Sequence, residues 1–301
     1  MFKRAFLLIS IAGSVVNAQT ITETFGTGAN AFSIDFVQIG NPGNISDDTG
    51  FGSVAYTYNL GKYEISRDQI LKANAEGGLG ITLADMTNHG GNGLNRPATG
   101  ISWYEAAKFV NYLNINQGKQ AAYLFDINGN FQLWNSAKAA GSNLYRHKDA
   151  YYFLPSVDEW YKGAYGNFSG VWYDYPNGTN TYPSRMSEAV WGQSDPQGPT
   201  DVTNAGGLSP YGTMAQGGNV WEWNENAFDL GNNDTMEVRE LRGGHWSSSE
   251  VSLEASARSS FDPFTENINF GFRIGSIPEP SSLSLVVLGE VVVALGRRKK
   301  S

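Results

Sequence analysis

The chain of 301 residues contains no cysteine. That absence removes disulfides, thiolate nucleophiles and every Cys-ligated metal site, which leaves core packing and ion binding as its means of cohesion. Histidine is scarce too. Only His89, His147 and His245 offer imidazoles, and no two have the close spacing of a zinc-binding pair. Basic residues are outnumbered, 21 Lys and Arg against 29 Asp and Glu, for a formal net charge of −8. Such a surface repels phosphate backbones, so no nucleic-acid partner is expected. Long apolar runs are confined to the two ends, and no repeat of fixed period is visible.

The N-terminal end, MFKRAFLLISIAGSVVNAQT, has a basic start, an apolar run and small residues at Val16 and Ala18, which predicts a signal peptide over residues 1–18. At the other end, Leu283 to Leu295 is apolar and is followed by Arg297, Arg298, Lys299 and Lys300, a stop-transfer arrangement. The run is short against the roughly 20 residues needed to span a bilayer, and Glu290 inside it adds about 2.5–3.5 kcal/mol if charged at the centre. Pro278, Glu279 and Pro280, then the apolar run and the basic end, together resemble the PEP-CTERM sorting signal of exported bacterial proteins. The resemblance implies transient inner-membrane association through the tail, cleavage by an exosortase-type sorting enzyme, and release to the cell surface or extracellular matrix.

Residues 19–277 carry 15 basic and 27 acidic side chains, a formal −12. In an exported protein this suits Ca²⁺ ligation by oxygen atoms and equally suits solubility alone. With 36 glycines and 13% aromatic residues, and few long periodic segments, the sequence predicts a loop-rich α+β domain. The polar stretch 19–34 is expected to be a loose N-terminal segment, with the domain proper over 35–276 and the tail over 277–301.

Three helices carry the same start signal. In SRDQILKANAEGG, SWYEAAKFVNYLN and SVDEWYKGAYG, a serine precedes Gln or Glu by three residues, so Ser66/Gln69, Ser102/Glu105 and Ser156/Glu159 form capping boxes. In the second helix Trp103, Ala106, Ala107, Val110 and Leu113 fall on one face and predict its core side. FSIDFVQIG and SVAYTYNLGKYEIS read as strands. Asn128 and Gly129 between two apolar runs predict a hairpin. The Asp126-x-Asn128-x-Asn130 pattern fails as an EF-hand, because Gly129 stands at loop position 4 and Ala137 at position 12. Residues 166–217 are mostly turns.

The segments YEISRDQI, RPATGISWYEAAKFVNYLN, YFLPSVDEWYKGAYG, SPYGTMAQGGNVWEWNE, LRGGHW and GFRIGS follow one another in this order. Together they resemble the motifs of the formylglycine-generating enzyme, or sulfatase-modifying factor, family. The resemblance implies one α+β domain with the formylglycine-generating-enzyme variant of the C-type-lectin-like fold, having small antiparallel sheets and a few helices. It also implies a structural calcium on the Glu222 side chain and the carbonyls of Gly218 and Val220. Ala215 stands where the family has a liganding asparagine. A second calcium is implied near Asp195, but around Ala189 nothing matches its asparagine, and that site is not expected. For Glu222 three readings stay open: a calcium ligand, a buried carboxylate bonded to backbone amides, and a catalytic acid.

The family's oxidases hold copper on two cysteines shortly after the RGGSW-like motif. Here that region reads RGGHWSSSEVSLEASARS. A serine hydroxyl is too basic and too hard to replace a thiolate on Cu(I), so no copper and no cysteine-dependent oxidation are expected. The histidines of the family's iron-dependent sulfoxide synthases have no counterpart. The leading expectation is a ligand- or partner-binding module for a glycan or peptide, with a cleft lined by Trp191, Tyr211, His245, Trp246, Ser247, Ser248 and Ser249. An enzyme with altered, non-cysteine chemistry is the alternative; Ser–His chemistry there would need an orienting acid such as Glu250 or Asp262. A purely structural matrix component is a third reading.

Overall fold

The computed structural model describes residues 20–278. The signal peptide expected over 1–18 and the sorting residues Glu279 and Pro280 lie outside them. The strands are β1 (Thr20–Phe25), β2 (Phe32–Ile39), β3 (Tyr58–Gly61), β4 (Leu124–Phe125), β5 (Phe131–Gln132), β6 (Ala139–Ala140), β7 (Asn143–His147), β8 (Tyr152–Phe153), β9 (Trp221–Ala227), β10 (Arg239–Arg242), β11 (Ser259–Phe261), β12 (Phe270–Gly271) and β13 (Gly275–Ser276). The helices are α1 (Arg67–Gly77), α2 (Trp103–Asn116) and α3 (Val157–Tyr165). A five-stranded sheet has the order β1-β2-β3-β13-β8 and a four-stranded sheet the order β11-β10-β9-β12. The pairs β4-β5 and β6-β7 form separate hairpins. Only β12 against β9 is parallel among these ladders.

The capping boxes at Ser66, Ser102 and Ser156 all form, each serine accepting from the backbone N–H three residues on and receiving the Gln or Glu in return. Helix α2 buries the expected stripe together with Phe109, Tyr112 and Asn114, so its core face is broader than the periodicity suggested. Asn114 donates to the Tyr152 carbonyl at 2.8 Å and its Oδ1 accepts from the Tyr152 N–H at 3.0 Å, tying α2 to β8. Asp126 closes the β4-β5 hairpin, its Oδ1 accepting the N–H groups of Asn128 and Asn130 at 2.9 Å.

The expectation of a loose segment over residues 19–34 is corrected. Thr20 to Phe25 form β1, paired in register from Thr20↔Val37 to Phe25↔Phe32. Alternating Thr, Ile and Glu suit a half-buried edge strand, and Phe25 anchors its end in the core, 5.7 Å from the Phe32 ring. Residues 166–217 are irregular as expected, with one short helical turn at Val202–Asn204. Aromatic packing orders them: Tyr211 lies 4.6 Å from Phe168, and Trp172 5.6 Å from Tyr161.

Candidate functional site

The GGNVWEWNEN stretch enters β9 through a turn only glycine accepts at residue 218. Gly218 has φ +81°, and a Cβ there would lie 2.0 Å from the Val190 carbonyl oxygen. Asn219 follows with φ 60°; its Oδ1 accepts the Thr200 N–H and its amide donates to Glu64 at 2.5 Å. The next N–H, from Val220, also reaches Glu64, at 3.2 Å. Burial, then the nearby Glu222 charge, push the Glu64 carboxyl well above the usual carboxylate range.

Glu222 is 0% exposed. Its Oε2 accepts from Trp160 Nε1 and Arg273 Nε, each at 2.6 Å, and its Oε1 accepts from Arg273 Nη2 at 2.6 Å. Arg273 is fixed in turn by donating to the carbonyls of Gly61 and Met214 at 2.9 and 2.7 Å. Three sequence motifs thus meet in one fork-to-carboxylate pair: α3 supplies Trp160, β9 supplies Glu222 and the GFRIG segment supplies Arg273.

This donor set does not fit the calcium implied at Gly218, Val220 and Glu222. A cation drawn to Glu222 would share its oxygens with a guanidinium that cannot withdraw without leaving a buried charge unpaired. Ala215, at the missing asparagine's position, packs with Val190, Ala205 and Trp246 in an apolar cluster. Glu222 is a buried anchor, and its partners are Arg273 and Trp160 in place of backbone amides.

A second buried ion cluster holds the other side of β9. Arg146 donates to Glu225 at 2.7 Å and to Glu159 at 2.9 Å. Burial works to raise the Glu159 carboxyl, but Arg146 and the hydrogen bonds of Tyr56 and Ser156 outweigh it and hold the carboxyl below its ordinary value. On β10, Glu240 pairs with Arg242 at 2.6 Å and with Arg258 at 2.7 Å. Sequence reasoning missed Glu64, Arg146, Glu225 and Arg273. The available signal was a lone charge inside an apolar or aromatic run, as in VWEWNE and GFRIG.

The RGGHWSSS loop leaves β10 with Gly243 and Gly244 at φ +98° and +78°. Trp246 N–H donates to the Asn219 carbonyl at 2.8 Å, and the Trp246 and Ser248 carbonyls accept from Gln193 and Gly192 at 2.7 and 2.9 Å. The loop is therefore clamped on both sides. Tyr211 and Trp246 are core residues, 0% and 1% exposed, with Trp246 packed 5.7 Å from His89. Trp191 is half-buried and donates Nε1–H to the Pro183 carbonyl at 3.0 Å. His245 and Ser248 are half-buried, whereas Ser247 and Ser249 are exposed.

Ser248 Oγ accepts the His245 N–H at 3.1 Å, a turn contact. Ser247 Oγ lies 3.3 Å from His245 Nδ1, which also accepts the Ser247 N–H at 3.4 Å. No carboxylate, Glu250 and Asp262 included, bonds to His245 among the described residues. Burial lowers its pKa to about 4, so the imidazole is neutral at neutral pH and a weak base. Surface clefts of about 300 and 420 Å³ lie elsewhere, lined by none of Trp191, Tyr211 or His245 to Ser249.

The model of the sulfatase-modifying factor enzyme 1-like domain matches residues 47–276. Inactive C-alpha-formylglycine-generating enzyme 2 of Bos taurus is 29% identical over 157 residues, covering 48% of this chain and 48% of its own length. The chain therefore spans about half the length of that curated relative. Treponema denticola variable protein 1 superposes with a TM-score of 0.63 at 19% identity, over 86% of this chain and 99% of that one. The crystal structure of CarF gives 0.61 at 20% identity, over 82% and 99%.

Proposed function

The chain belongs to the sulfatase-modifying factor enzyme 1-like domain family, and on that premise we propose that it is an exported recognition module without the family's cysteine-dependent oxidation. Its fold is the formylglycine-generating-enzyme variant of the C-type-lectin-like fold, a loop-rich α+β domain.

The observation that carries this reading is the loop after RGGHW. Where copper-binding cysteines are expected the chain has Ser247, Ser248 and Ser249, and Ser248 is committed to the loop's own turn. A hydroxyl cannot supply the soft anionic ligand that Cu(I) requires. What remains is a rigid, polar surface: exposed Ser247 and Ser249 beside the half-buried His245 and Trp221, whose rings are 6.5 Å apart. Rigid loops on a packed scaffold bind partners with little ordering cost. The related bovine protein's designation as inactive supports the same reading.

Export rests on residues 1–18. Passage to the surface through an exosortase-type enzyme, with transient inner-membrane association, rests on Pro278, Glu279 and Pro280 and the apolar and basic residues after them. The ligand class is a glycan or peptide. The test is a glycan array and a peptide library probed with the mature domain and with Ser247→Trp. Saturable binding that weakens about tenfold in the variant supports the reading; two blank arrays refute it.

A second reading, an enzyme with non-cysteine chemistry on an extracytoplasmic substrate, draws on the 3.3 Å Ser247–His245 contact. Covalent labelling of Ser247 by a fluorophosphonate, lost in Ser247→Ala, would favour it.

A further inference from the structure

We propose that a polar cleft between β2, the turn into α1 and the Val202–Asn204 segment binds a neutral sugar ring. The cleft holds about 300 Å³, the lower end of ligand pockets and enough for one or two pyranose units on the order of such volumes. It shares no residue with the His245–Ser249 loop and so goes beyond the reading above.

Its walls are preformed. Gln69 Nε2 donates to the Ser33 carbonyl at 2.8 Å, Lys62 N–H donates to the Asp35 carbonyl at 2.8 Å, and Val202 N–H donates to the Asn95 carbonyl at 2.9 Å. Three stretches distant in sequence are thereby pinned together, so little ordering cost falls on binding.

The lining leaves a particular set of groups uncommitted. Among the described residues the Tyr63 hydroxyl, the Asn95 side-chain amide and the Thr203 hydroxyl make no hydrogen bond, although all three residues line the cleft. Asp35 receives the Thr22 hydroxyl on Oδ1 at 2.6 Å, and its second oxygen is open. Such a mixture of donors and acceptors suits the vicinal hydroxyls of a sugar, each of which donates and accepts. The Tyr63 ring is half-buried and has Lys62 Nζ 5.3 Å from its centroid on one side, so stacking of the C–H side of a pyranose is assigned to its other face.

Charge excludes the competitors. Lys72, the one cation among the lining residues, is paired with Asp68 at 2.7 Å, and Lys62 Nζ lies over the Tyr63 ring, 5.3 Å from its centroid, so the lining itself offers no unpaired positive charge to a phosphate, sulfate or uronate. Glu64 at the inner wall is held toward its protonated form by burial. Asp35 remains the single unpaired carboxylate, too little charge to favour a dicationic ligand.

The experiment is isothermal titration, backed by saturation-transfer NMR, of the mature domain with cellotriose, maltotriose and chitotriose, alongside Tyr63→Ala, Thr203→Trp and Ser247→Trp. Thermal melts verify that each variant is folded. The proposal expects saturable binding of at least one trisaccharide, weakened about tenfold or more by Tyr63→Ala and by Thr203→Trp, with Ser247→Trp reporting separately on the loop. No binding of any of the three at about 10 mM, or binding indifferent to both cleft variants, overturns it. Binding lost only in Ser247→Trp also overturns it while upholding the loop as the recognition surface.

Discussion

Replacing Glu222 by glutamine keeps the side chain's shape and removes its charge, which isolates what Arg273 needs. The guanidinium is 0% exposed and its only carboxylate within salt-bridge distance among the described residues is Glu222, at 2.6 Å. An uncompensated buried charge of this kind costs about 3–5 kcal/mol. Glutamine also presents an NH₂ to donors that met an oxygen, so at least one of the three bonds from Trp160 and Arg273 is lost. Against a domain stability of about 5–15 kcal/mol the loss is large. It corresponds to a fall in Tm of roughly 6–20 °C for a domain of this size. The assay is thermal and urea unfolding of wild type, Glu222→Gln, Arg273→Met and the double variant, each with calcium or with a chelator. The double variant should be less destabilised than the sum of the singles by about 1–3 kcal/mol, because it leaves no orphaned charge. Wild type should melt at the same temperature with and without chelator. A calcium ion at a hundred times its Kd would contribute about 2.7 kcal/mol. A chelator-sensitive Tm, or additive singles, would refute the anchor role.

Two further predictions concern pH. Glu64 has a folded pKa above its unfolded one, so the folded state binds the extra proton, and stability is fullest below the unfolded value and falls as pH rises toward the raised one. Unfolding free energy followed from pH 4.5 upward should carry a falling contribution of up to about 1.4 kcal/mol per pH unit, which Glu64→Gln removes; parallel profiles would contradict this. His245 moves the other way. Its folded pKa is about 4 against 6.5, so stability that it contributes above the unfolded pKa is lost as pH falls through 6.5 toward that value. In NMR its ring resonances should stay flat between about pH 5.5 and 7.5, where an ordinary histidine titrates, and a midpoint near 6.5 would contradict the burial argument.

Local signals were legible in the sequence, and long-range electrostatics were not. Ser66, Ser102 and Ser156 announce their helices because a capping box is complete within four residues. The Asn128–Gly129 hairpin is likewise local. Strand β1 was missed because its polar Thr and Glu residues resemble a loop until β2 is present to pair with them. The partner of Glu222 lies 51 residues away, and no spacing rule links a WEW carboxylate to a GFR guanidinium. Tyr211 and Trp246 looked like cleft residues because an aromatic in a Gly-rich segment has the same appearance whether it faces solvent or, as here, the core. The serine run after RGGHW is a matter of composition and needs no fold to be seen, while the loss of cysteine-dependent chemistry drawn from it is the proposal that the next experiment tests.

The most direct test of the account offers the protein copper(I), oxygen and a cysteine-containing sulfatase-type peptide, and follows the peptide by mass spectrometry. The account predicts that the peptide cysteine is not converted to an aldehyde and that no stoichiometric copper is retained. Copper-dependent formylglycine in the peptide would contradict it.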